Sequence, residues 1–211
     1  DDLPCMDNDR MRRGKLATHV KFGESTAILA GNSLLTLAFE MIVDKSYKIE
    51  SKTKTELIRA LALCSGHTGI AGGQYLDLSF EKKKKKFSDI LNMQRKKTGK
   101  LFNFCCFAPG VIAKKKFGDL KSLSKLGEDI GLLFQLADDF IDFSGSKKLA
   151  GKSTKKDQKK GKSTLISLMG YQKANSYALR LKKNILSKLQ KHGKKANDLI
   201  NTVEFILKRN F

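Results

Sequence analysis

The chain has 211 residues, of which 40% are hydrophobic, and its 42 Lys and Arg outnumber 21 Asp and Glu, which gives a formal net charge of +21. This length and apolar content exclude a disordered chain and suit one domain with its own core. Lysine runs are typical of solvated surfaces, and the basic runs here lack the interleaved aromatic residues of a nucleic-acid interface. We therefore predict no nucleic-acid partner. A phosphorylated substrate is the alternative explanation of part of the charge.

The residue pattern is helical along the whole chain. Only 2 prolines and no tryptophan are present, and the abundant Leu, Ile, Ala and Lys favour helices. The clearest period runs from Leu120 to Ile141 in steps of three and four. We predict helices over 25–43, 52–72, 84–113 with a break near Pro109, 119–143, 163–191 and 194–209, with a lysine-rich linker at 81–87 and a basic loop at 144–162. Because no alternating strand pattern occurs, the prediction is a single all-α domain over residues 1–211, a helical bundle.

Residues 25–43 are apolar enough to raise the question of a membrane span. The stretch AILAGNSLLTLAFEMIV contains Asn32, Ser33 and Glu40, whose polar groups would lie in the hydrocarbon layer of a membrane. We therefore predict a helix buried in the protein, with no stable membrane span and no signal peptide.

The cysteines and histidines show neither a disulfide framework nor a zinc site. The four cysteines include no CxxC pair, and Cys105 and Cys106 lie in an apolar stretch where cysteine behaves as a small hydrophobic residue. His19, His67 and His192 are scattered and lack the spacing of zinc ligands. Free thiols indicate a reducing compartment, so we predict a cytoplasmic location.

Two clusters of aspartate carry the strongest chemical signal. The first, DDLPCMD, opens the chain, and the second, DDFID, lies in the predicted helix 119–143. On that helix Asp138 and Asp142 are four residues apart and share a face, with Asp139 beside them. Because unpaired buried carboxylates are costly, each cluster needs a cation. Surface salt bridges would explain one such cluster, but two clusters in one all-α chain favour a metal site.

Carboxylate oxygens are preferred ligands of Mg²⁺, which usually completes its shell with water and substrate phosphates. Two facing aspartate clusters would form a site where the metal joins the protein to a diphosphate. Five basic residues near the motifs could also contact diphosphate groups directly: Arg12, Arg13, Lys97, Lys152 and Lys162. If the segment around Arg12 and Arg13 is helical, their side chains point about 100° apart and one can serve each of two diphosphates.

Five motifs occur in the order found in one known family. They are DDLPCMDNDRMRRGK, GGQYLDL, KKTGKL, FQLADDFID and GKSTKKDQKKGKST, and the segment HVKFGESTAILAGNSLLTLAFE is also similar. Through them the chain resembles the trans-isoprenyl diphosphate synthases over essentially its whole length, above all the short-chain bacterial farnesyl diphosphate synthases. That group has four residues between its aspartate pair and the third aspartate, as between Asp2 and Asp7 here.

The resemblance implies a role for each matching residue. A cluster of about three Mg²⁺ ions, or Mn²⁺ in their place, would be held by six aspartates. These aspartates, which with Lys97 form the predicted catalytic set, are Asp1, Asp2, Asp7, Asp138, Asp139 and Asp142. Arg12 matches the contact to the allylic diphosphate, and Arg13 matches the contact to isopentenyl diphosphate.

The remaining implied contacts concern substrate. Lys97, Lys152 and Lys162 match further diphosphate contacts, and Thr98 and Gln135 match polar groups near the allylic carbon. Gln74 and Asp77 fit an element that supports the metal site from a facing helix. Aromatic residues of the apolar helices are candidates for the wall of a tunnel around the growing tail, although core packing explains each equally well: Phe102, Phe104, Phe107 and Phe134.

The sequence departs from the family pattern in three places. Arg10 stands where an aspartate is common, outside the predicted metal ligands, so little loss of metal binding is expected. Asn32 replaces another common aspartate without a functional explanation. The family's N-terminal helices, with a GGKRLRP-like motif that binds isopentenyl diphosphate, do not occur in this sequence, so the domain is predicted to be N-terminally incomplete. The residues that set product length precede the first aspartate pair and cannot be read here.

The resemblance implies a Mg²⁺-dependent head-to-tail prenyl transfer by a homodimer. Isopentenyl diphosphate would condense with dimethylallyl or geranyl diphosphate by ionisation, condensation and elimination, and the product would be farnesyl diphosphate. A geranylgeranyl or longer product is the alternative. A terpene cyclase needs only one diphosphate substrate, so Arg12 and Arg13 together argue against it. A non-catalytic prenyl synthase subunit would usually lack the aspartate clusters that this chain keeps.

Overall fold

The computed structural model describes residues 1–144 and 161–208. In these residues the chain forms ten α-helices, one π-helical turn, one 3-10 turn and a hairpin of two short strands. The elements are β1 (Met11–Arg12), β2 (Lys15–Leu16), α1 (Thr18–Phe22), α2 (Glu24–Val43), α3 (Ser51–Ser65), α4 (Ile70–Phe80), α5 (Phe87–Gln94), the π-turn (Arg95–Gly99), α6 (Lys100–Ile112), α7 (Phe117–Ser144), α8 (Leu165–Met169), α9 (Tyr171–Gln190), the 3-10 turn (Gly193–Ala196) and α10 (Asn197–Lys208). The predicted all-α fold is confirmed.

The core is built around α7, the longest helix. Leu132, Leu133 and Leu136 are fully buried in its middle, as expected for a central helix that is apolar on several sides. Helices α6, α9 and α10 and the π-turn pack around it. The regular spacing of leucine predicted this helix over 119–143, and the structure extends it by a residue or two at each end. The aspartates of the second motif therefore lie at the end of a rigid central element.

Several predicted helices have different ends in the structure. The helix predicted over 52–72 is two helices, because α3 ends at Ser65 and α4 begins at Ile70. Pro109 does not break the chain but lies inside α6, where tight packing on α7 outweighs its low helix propensity. The interruption in the 84–113 segment is the π-turn instead. Residues 163–191 hold both α8 and α9, separated at Gly170.

The segment after the first aspartate motif is a hairpin, which the sequence did not predict. Met11 pairs with Leu16 and Arg12 with Lys15. The conditional expectation of a helix at Arg12 and Arg13 is therefore wrong. As predicted, residues 81–87 link two helices. The predicted loop at 144–162 lies mostly outside the described residues.

The apolar helix α2 is exposed in the single chain. None of its residues is buried, and Leu29 and Leu34 are 65% and 67% exposed. The prediction of a buried helix is therefore wrong for one chain, because α2 packs mainly against α1 and α3 within the described residues. By length and composition, α2 could cross a membrane, with a mean hydropathy of 1.6. Apolar helices that another protein surface covers have the same length and composition.

Candidate active site

The first aspartate motif forms a compact loop closed by its own backbone. The amide of Asp7 donates to the carbonyl of Asp1 at 2.8 Å, and the amide of Asp9 donates to the carbonyl of Asp2 at 3.0 Å. Pro4 lies between them, where a non-helical turn suits it. These bonds bring the carboxylates of Asp1, Asp2 and Asp7 onto one small loop.

Arg12 forks between the first two aspartates. Its Nη2 donates to Asp1 Oδ1 and its Nε donates to Asp2 Oδ2, each at 2.9 Å. The hairpin makes this possible, since its two-residue turn at Arg13 and Gly14 has φ of +53° and +75°, the geometry of a tight hairpin turn. Arg13 is exposed at that turn, and its side chain makes no hydrogen bond or ion pair with the described residues.

Helix α4 brings Asp77 against the π-turn. A Cβ at Gly73 would lie 2.1 Å from the backbone nitrogen of Lys97, so only glycine permits this close approach. One helical turn further on, the buried carboxylate of Asp77 accepts a hydrogen bond from Lys97 Nζ at 2.6 Å. Lys97 Nζ also lies 3.9 Å from Asp1 Oδ2. Gly73 of the GGQYLDL motif therefore has a packing role that brings Lys97 beside Asp77.

Lys162 joins the same network from the other side. Its Nζ lies 2.8 Å from Asp7 Oδ1 and 3.6 Å from Asp77 Oδ2. Asp77 thus lies between two ammonium groups, Lys97 and Lys162, and each of these also faces an aspartate of the first motif. Opposite charges held this close in a partly buried site stabilise each other more than surface pairs do.

The second motif is centred on Asp139, which is only 4% exposed. Gln94 and Gln135 each donate an amide N–H to one of its two carboxylate oxygens at 2.9 Å. Thr98 donates its hydroxyl to Oε1 of Gln135 at 2.6 Å. The predicted pair Thr98 and Gln135 is therefore in direct contact, and Gln135 joins the pair to Asp139 of the second aspartate motif.

A pocket of about 170 Å³ lies beside the second motif. It is lined by Asp139 and Asp142 of that motif and by Lys162, Thr164 and Ile166. Asp142 is half-buried, whereas Asp138 is exposed. Because Lys162 also pairs with Asp7, the pocket lies next to the ion-pair network of the first motif.

The donor set fits a hard divalent cation that shares its shell with a substrate. Within residues 1–144 and 161–208, no three Asp, Glu, His or Cys side chains come close enough to form a metal site by themselves. Asp2 Oδ1 and Gln74 Nε2 are buried and have no hydrogen-bond partner there. A buried carboxylate oxygen without a donor is costly, and partial ligand sets suit Mg²⁺, which takes few carboxylates and completes its shell with phosphate and water.

Not every predicted residue can be placed, and two buried polar residues were missed. Lys152 lies outside the described residues. Gln94 is 2% exposed and Asp9 is 2% exposed, yet neither was among the predicted site residues. A glutamine in the apolar stretch just before KKTGK was the available signal for Gln94. Of the aromatic candidates, Phe102 and Phe134 contact each other, with ring centroids 5.4 Å apart and ring planes tilted by 43°, and both pack on the core.

Neither partly buried thiol suits nucleophilic chemistry. Burial raises the pKa of the Cys64 thiol and of the Cys106 thiol above the ordinary value, so both stay protonated at neutral pH. Cys64 is instead weakly hydrogen-bonded to Asn103 Oδ1 at 3.9 Å.

Residues 1–203 match the polyprenyl synthetase family model. The chain belongs to the polyprenyl synthetase family. It is similar to a farnesyl diphosphate synthase of Micrococcus luteus, with 36% identity over 100% of this chain and 72% of that enzyme. It is also similar to geranylgeranyl pyrophosphate synthase 4 of Arabidopsis thaliana, with 36% identity over 100% of this chain but 57% of that enzyme.

A solved structure shares the fold of this polyprenyl synthetase. The geranyltransferase of Helicobacter pylori, complexed with magnesium and isoprenyl diphosphate, superposes with a TM-score of 0.84 at 33% identity, over 99% of this chain and 68% of that chain. The predicted family and its isoprenoid synthase fold are therefore confirmed. The names of these relatives agree with the predicted enzyme class, a prenyl-transferring enzyme.

Proposed function

We propose that the protein condenses isopentenyl diphosphate with an allylic diphosphate and makes farnesyl diphosphate. The observation that carries this proposal is the network in which Lys97 and Lys162 pair both with Asp77 and with aspartates of the first motif. Such a network puts carboxylates that can hold a metal next to ammonium groups that can hold a diphosphate.

The six motif aspartates would hold Mg²⁺. When bound, Mg²⁺ supplies positive charge that stabilises the leaving diphosphate. The buried Oδ1 of Asp2 and the half-buried Asp142 at the pocket beside Lys162 support this assignment.

The protein's own cations bind and orient the two substrates. Lys97, Lys162 and Arg12 hold the allylic diphosphate, whose carbon–oxygen bond breaks with the electron pair leaving on the diphosphate. The double bond of isopentenyl diphosphate, held at Arg13, then attacks the allylic cation, and the resulting cation loses a proton to the released diphosphate. The oxygens of the hydrogen-bonded pair Thr98 and Gln135 stabilise the positive charge on carbon.

The test is product analysis with the full-length protein. Incubation with dimethylallyl and isopentenyl diphosphates and Mg²⁺ should give farnesyl diphosphate. A chelator should abolish its formation. Asp139→Asn should lose activity, whereas Asp119→Asn, at an exposed aspartate in the first turn of the same helix, should not. A twenty-carbon product would support the geranylgeranyl alternative, and full turnover in chelator would contradict the metal assignment.

We also propose that the full-length protein is a cytoplasmic homodimer with α2 in the interface. Support comes from the exposed apolar side chains of α2, including Leu29, Leu34 and Met41, which form a patch that water would not favour. The polar residues Asn32 and Glu40 on the same helix suit a protein interface better than lipid.

The dimer proposal is tested by light scattering at micromolar concentration. The wild type should have the mass of two chains, and Leu34→Glu should have the mass of one, because a charge would be buried unpaired in the interface. Leu179→Glu changes another exposed leucine, on α9, and should leave the dimer intact. A monomeric wild type, or binding of α2 to lipid vesicles, would contradict the proposal.

A further inference from the structure

The π-turn that carries Lys97 and Thr98 is held at both of its ends by two acidic residues of α7. Arg95, its first residue, has Nη1 3.5 Å from Glu128 Oε2 and Nη2 3.4 Å from Asp129 Oδ1. Lys100, which follows the turn, donates to Glu128 Oε1 at 2.7 Å. We propose that Glu128 and Asp129, the acidic anchor, are positioning residues that hold Lys97 and Thr98 for prenyl transfer. This inference rests on the proposed function.

Residues in and around the π-turn contact successive positions along one face of α7. That face consists of positions three or four residues apart, so its members lie in a row along the helix. The contacts along the row are Lys100 with Glu128, Gly99 with Gly131, Thr98 with Gln135 and Gln94 with Asp139. Glu128 of the acidic anchor is therefore one end of a continuous row whose other end is Asp139 of the second aspartate motif.

The close approach in the middle of the row leaves little freedom. A Cβ at Gly131 would lie 2.7 Å from the Cα of Gly99, so the backbones of the turn and of α7 are in direct contact. A π-turn has an extra residue per turn relative to an α-helix and is marginal in isolation. The charged contacts of Arg95 and Lys100, at its two ends, fix which residues of the turn face α7.

Asp129 is the most strongly bound member of the anchor. It is only 6% exposed, and besides Arg95 it faces Lys125 Nζ at 3.1 Å and Lys188 Nζ at 3.2 Å. Lys188 belongs to α9, so the anchor joins the turn, α7 and α9. Loss of this carboxylate would leave the cations facing one another without a counter-charge, which should push Arg95 and the start of the turn away from α7.

Displacement of the turn has a direct chemical consequence. Lys97 is its third residue, and its ammonium group is held 2.6 Å from Asp77. A shift of about 1 Å in a group that stabilises a transition state can cost roughly 100-fold in rate. None of the anchor's cations contacts the aspartate motifs in the described residues, so the effect of the anchor on catalysis passes through the turn.

The test compares Asp129→Asn, Glu128→Gln and wild type in the full-length protein. We expect kcat to fall roughly 10- to 100-fold while the KM for isopentenyl diphosphate changes less than about threefold. Amide hydrogen exchange should speed up within residues 95–99 and stay unchanged in the middle of α7. Glu128→Asp should restore most of kcat because it keeps the charge. The matched control, Glu204→Gln, removes a 2.6 Å ion pair with Lys182 away from the site and should change neither measurement.

A milder variant covers the case in which Asp129→Asn does not fold. Lys100→Met removes one contact to Glu128 from a partly exposed position and should still slow kcat, by roughly 3- to 10-fold. Unchanged kcat in the folded variants, or faster exchange throughout α7, would overturn the inference. If the wild type makes no prenyl product, the proposed function fails, whereas the exchange data still decide whether the anchor holds the turn.

Discussion

Replacing Arg12 and Arg13 one at a time by alanine tests whether two adjacent arginines serve two different diphosphates. The hairpin gives them different surroundings: Arg12 forks between Asp1 and Asp2, while Arg13 is exposed at the turn. We predict that Arg12→Ala mainly lowers kcat with the allylic substrate. Arg13→Ala should mainly raise the KM for isopentenyl diphosphate.

The magnitude for Arg12 follows from its contacts. It makes two charge-assisted hydrogen bonds of 2.9 Å with a side chain that is 45% exposed. At that exposure solvent weakens each bond to about 1 kcal/mol, so the loss of equivalent contacts to a diphosphate costs about 2 kcal/mol. That energy is roughly 30-fold in kcat/KM. The loss should appear in kcat, because charge on the leaving diphosphate is greatest in the transition state.

The magnitude for Arg13 is set by ground-state binding alone. The diphosphate of isopentenyl diphosphate stays attached throughout the reaction, so its contact is equally strong before and during the chemical step. One charged contact of about 1.5–3 kcal/mol then raises KM roughly 10- to 150-fold. Because the Arg13 side chain has no partner among the described residues, Arg13→Ala should not change the melting temperature.

The assay is steady-state kinetics in which each substrate is varied separately, with Mg²⁺ titrated for each variant. Lysine at either position should restore only part of the activity, since it supplies charge without a fork. Arg12→Ala should also shift the Mg²⁺ dependence, because Asp1 and Asp2 lose their counter-charge. Identical defects toward both substrates would refute the division of labour and would indicate that both arginines act only on the loop structure.

Two further predictions concern packing and ionisation. Gly73→Ala should destabilise the protein by about 1–3 kcal/mol and lower activity, because a Cβ would meet the backbone of Lys97 at 2.1 Å. Thermal melting measures this loss, with Gly118→Ala, at an open position, as the control. Equal melting temperatures for the two variants would contradict the prediction. Burial raises the pKa of the Cys64 and Cys106 thiols, so the stability gained from keeping them protonated is complete below about pH 8.5 and falls as the pH rises through their folded pKa values. Urea unfolding between pH 7 and pH 10 checks this sign, and an unfolding midpoint that rises with pH would contradict it.

The elements that the sequence predicted well are those whose signal is local. The leucines of α7 repeat at helical spacing, and this period alone placed the helix within two residues of its ends. The two aspartate motifs were equally visible, because carboxylates on an apolar background need an explanation wherever the chain folds. Local pattern thus identified both the central helix and the two clusters that define the candidate site.

The helix boundaries that were missed depend on how individual glycine and proline residues pack, which the residue pattern does not show. The break after Ser65 comes where Gly69 and Gly72 pack against the preceding turn, with a Cβ at Gly69 only 1.9 Å from the carbonyl oxygen of Cys64. Nothing in a single sequence distinguishes such a glycine from one in a helix. At Pro109 the sequence predicted a break that the structure does not have, because this helix packs along α7 and remains continuous.

Pairing between charges was the least predictable feature of the site. The sequence shows many lysines and few aspartates, but it does not show which lysine meets which aspartate. Lys162 pairs with Asp7, from which it is separated by most of the sequence. Lys97 pairs with Asp77 only because Gly73 allows two backbones to touch. The resemblance implies that these two lysines contact diphosphate. The structure adds that both pair with Asp77, which lies between them, and with aspartates of the first motif.

The same reasoning explains why the anchor could not be read from the sequence. Glu128 and Asp129 belong to an ordinary amphipathic helix, and acidic residues there are usually solvated. Their proposed positioning role depends on a π-turn, whose extra residue changes which side chains face α7 and has no sequence signature of its own. Only when the turn lies along α7 do Arg95 and Lys100 come to the same carboxylate. We therefore expect residues outside the aspartate motifs to set the geometry of the cations beside those motifs.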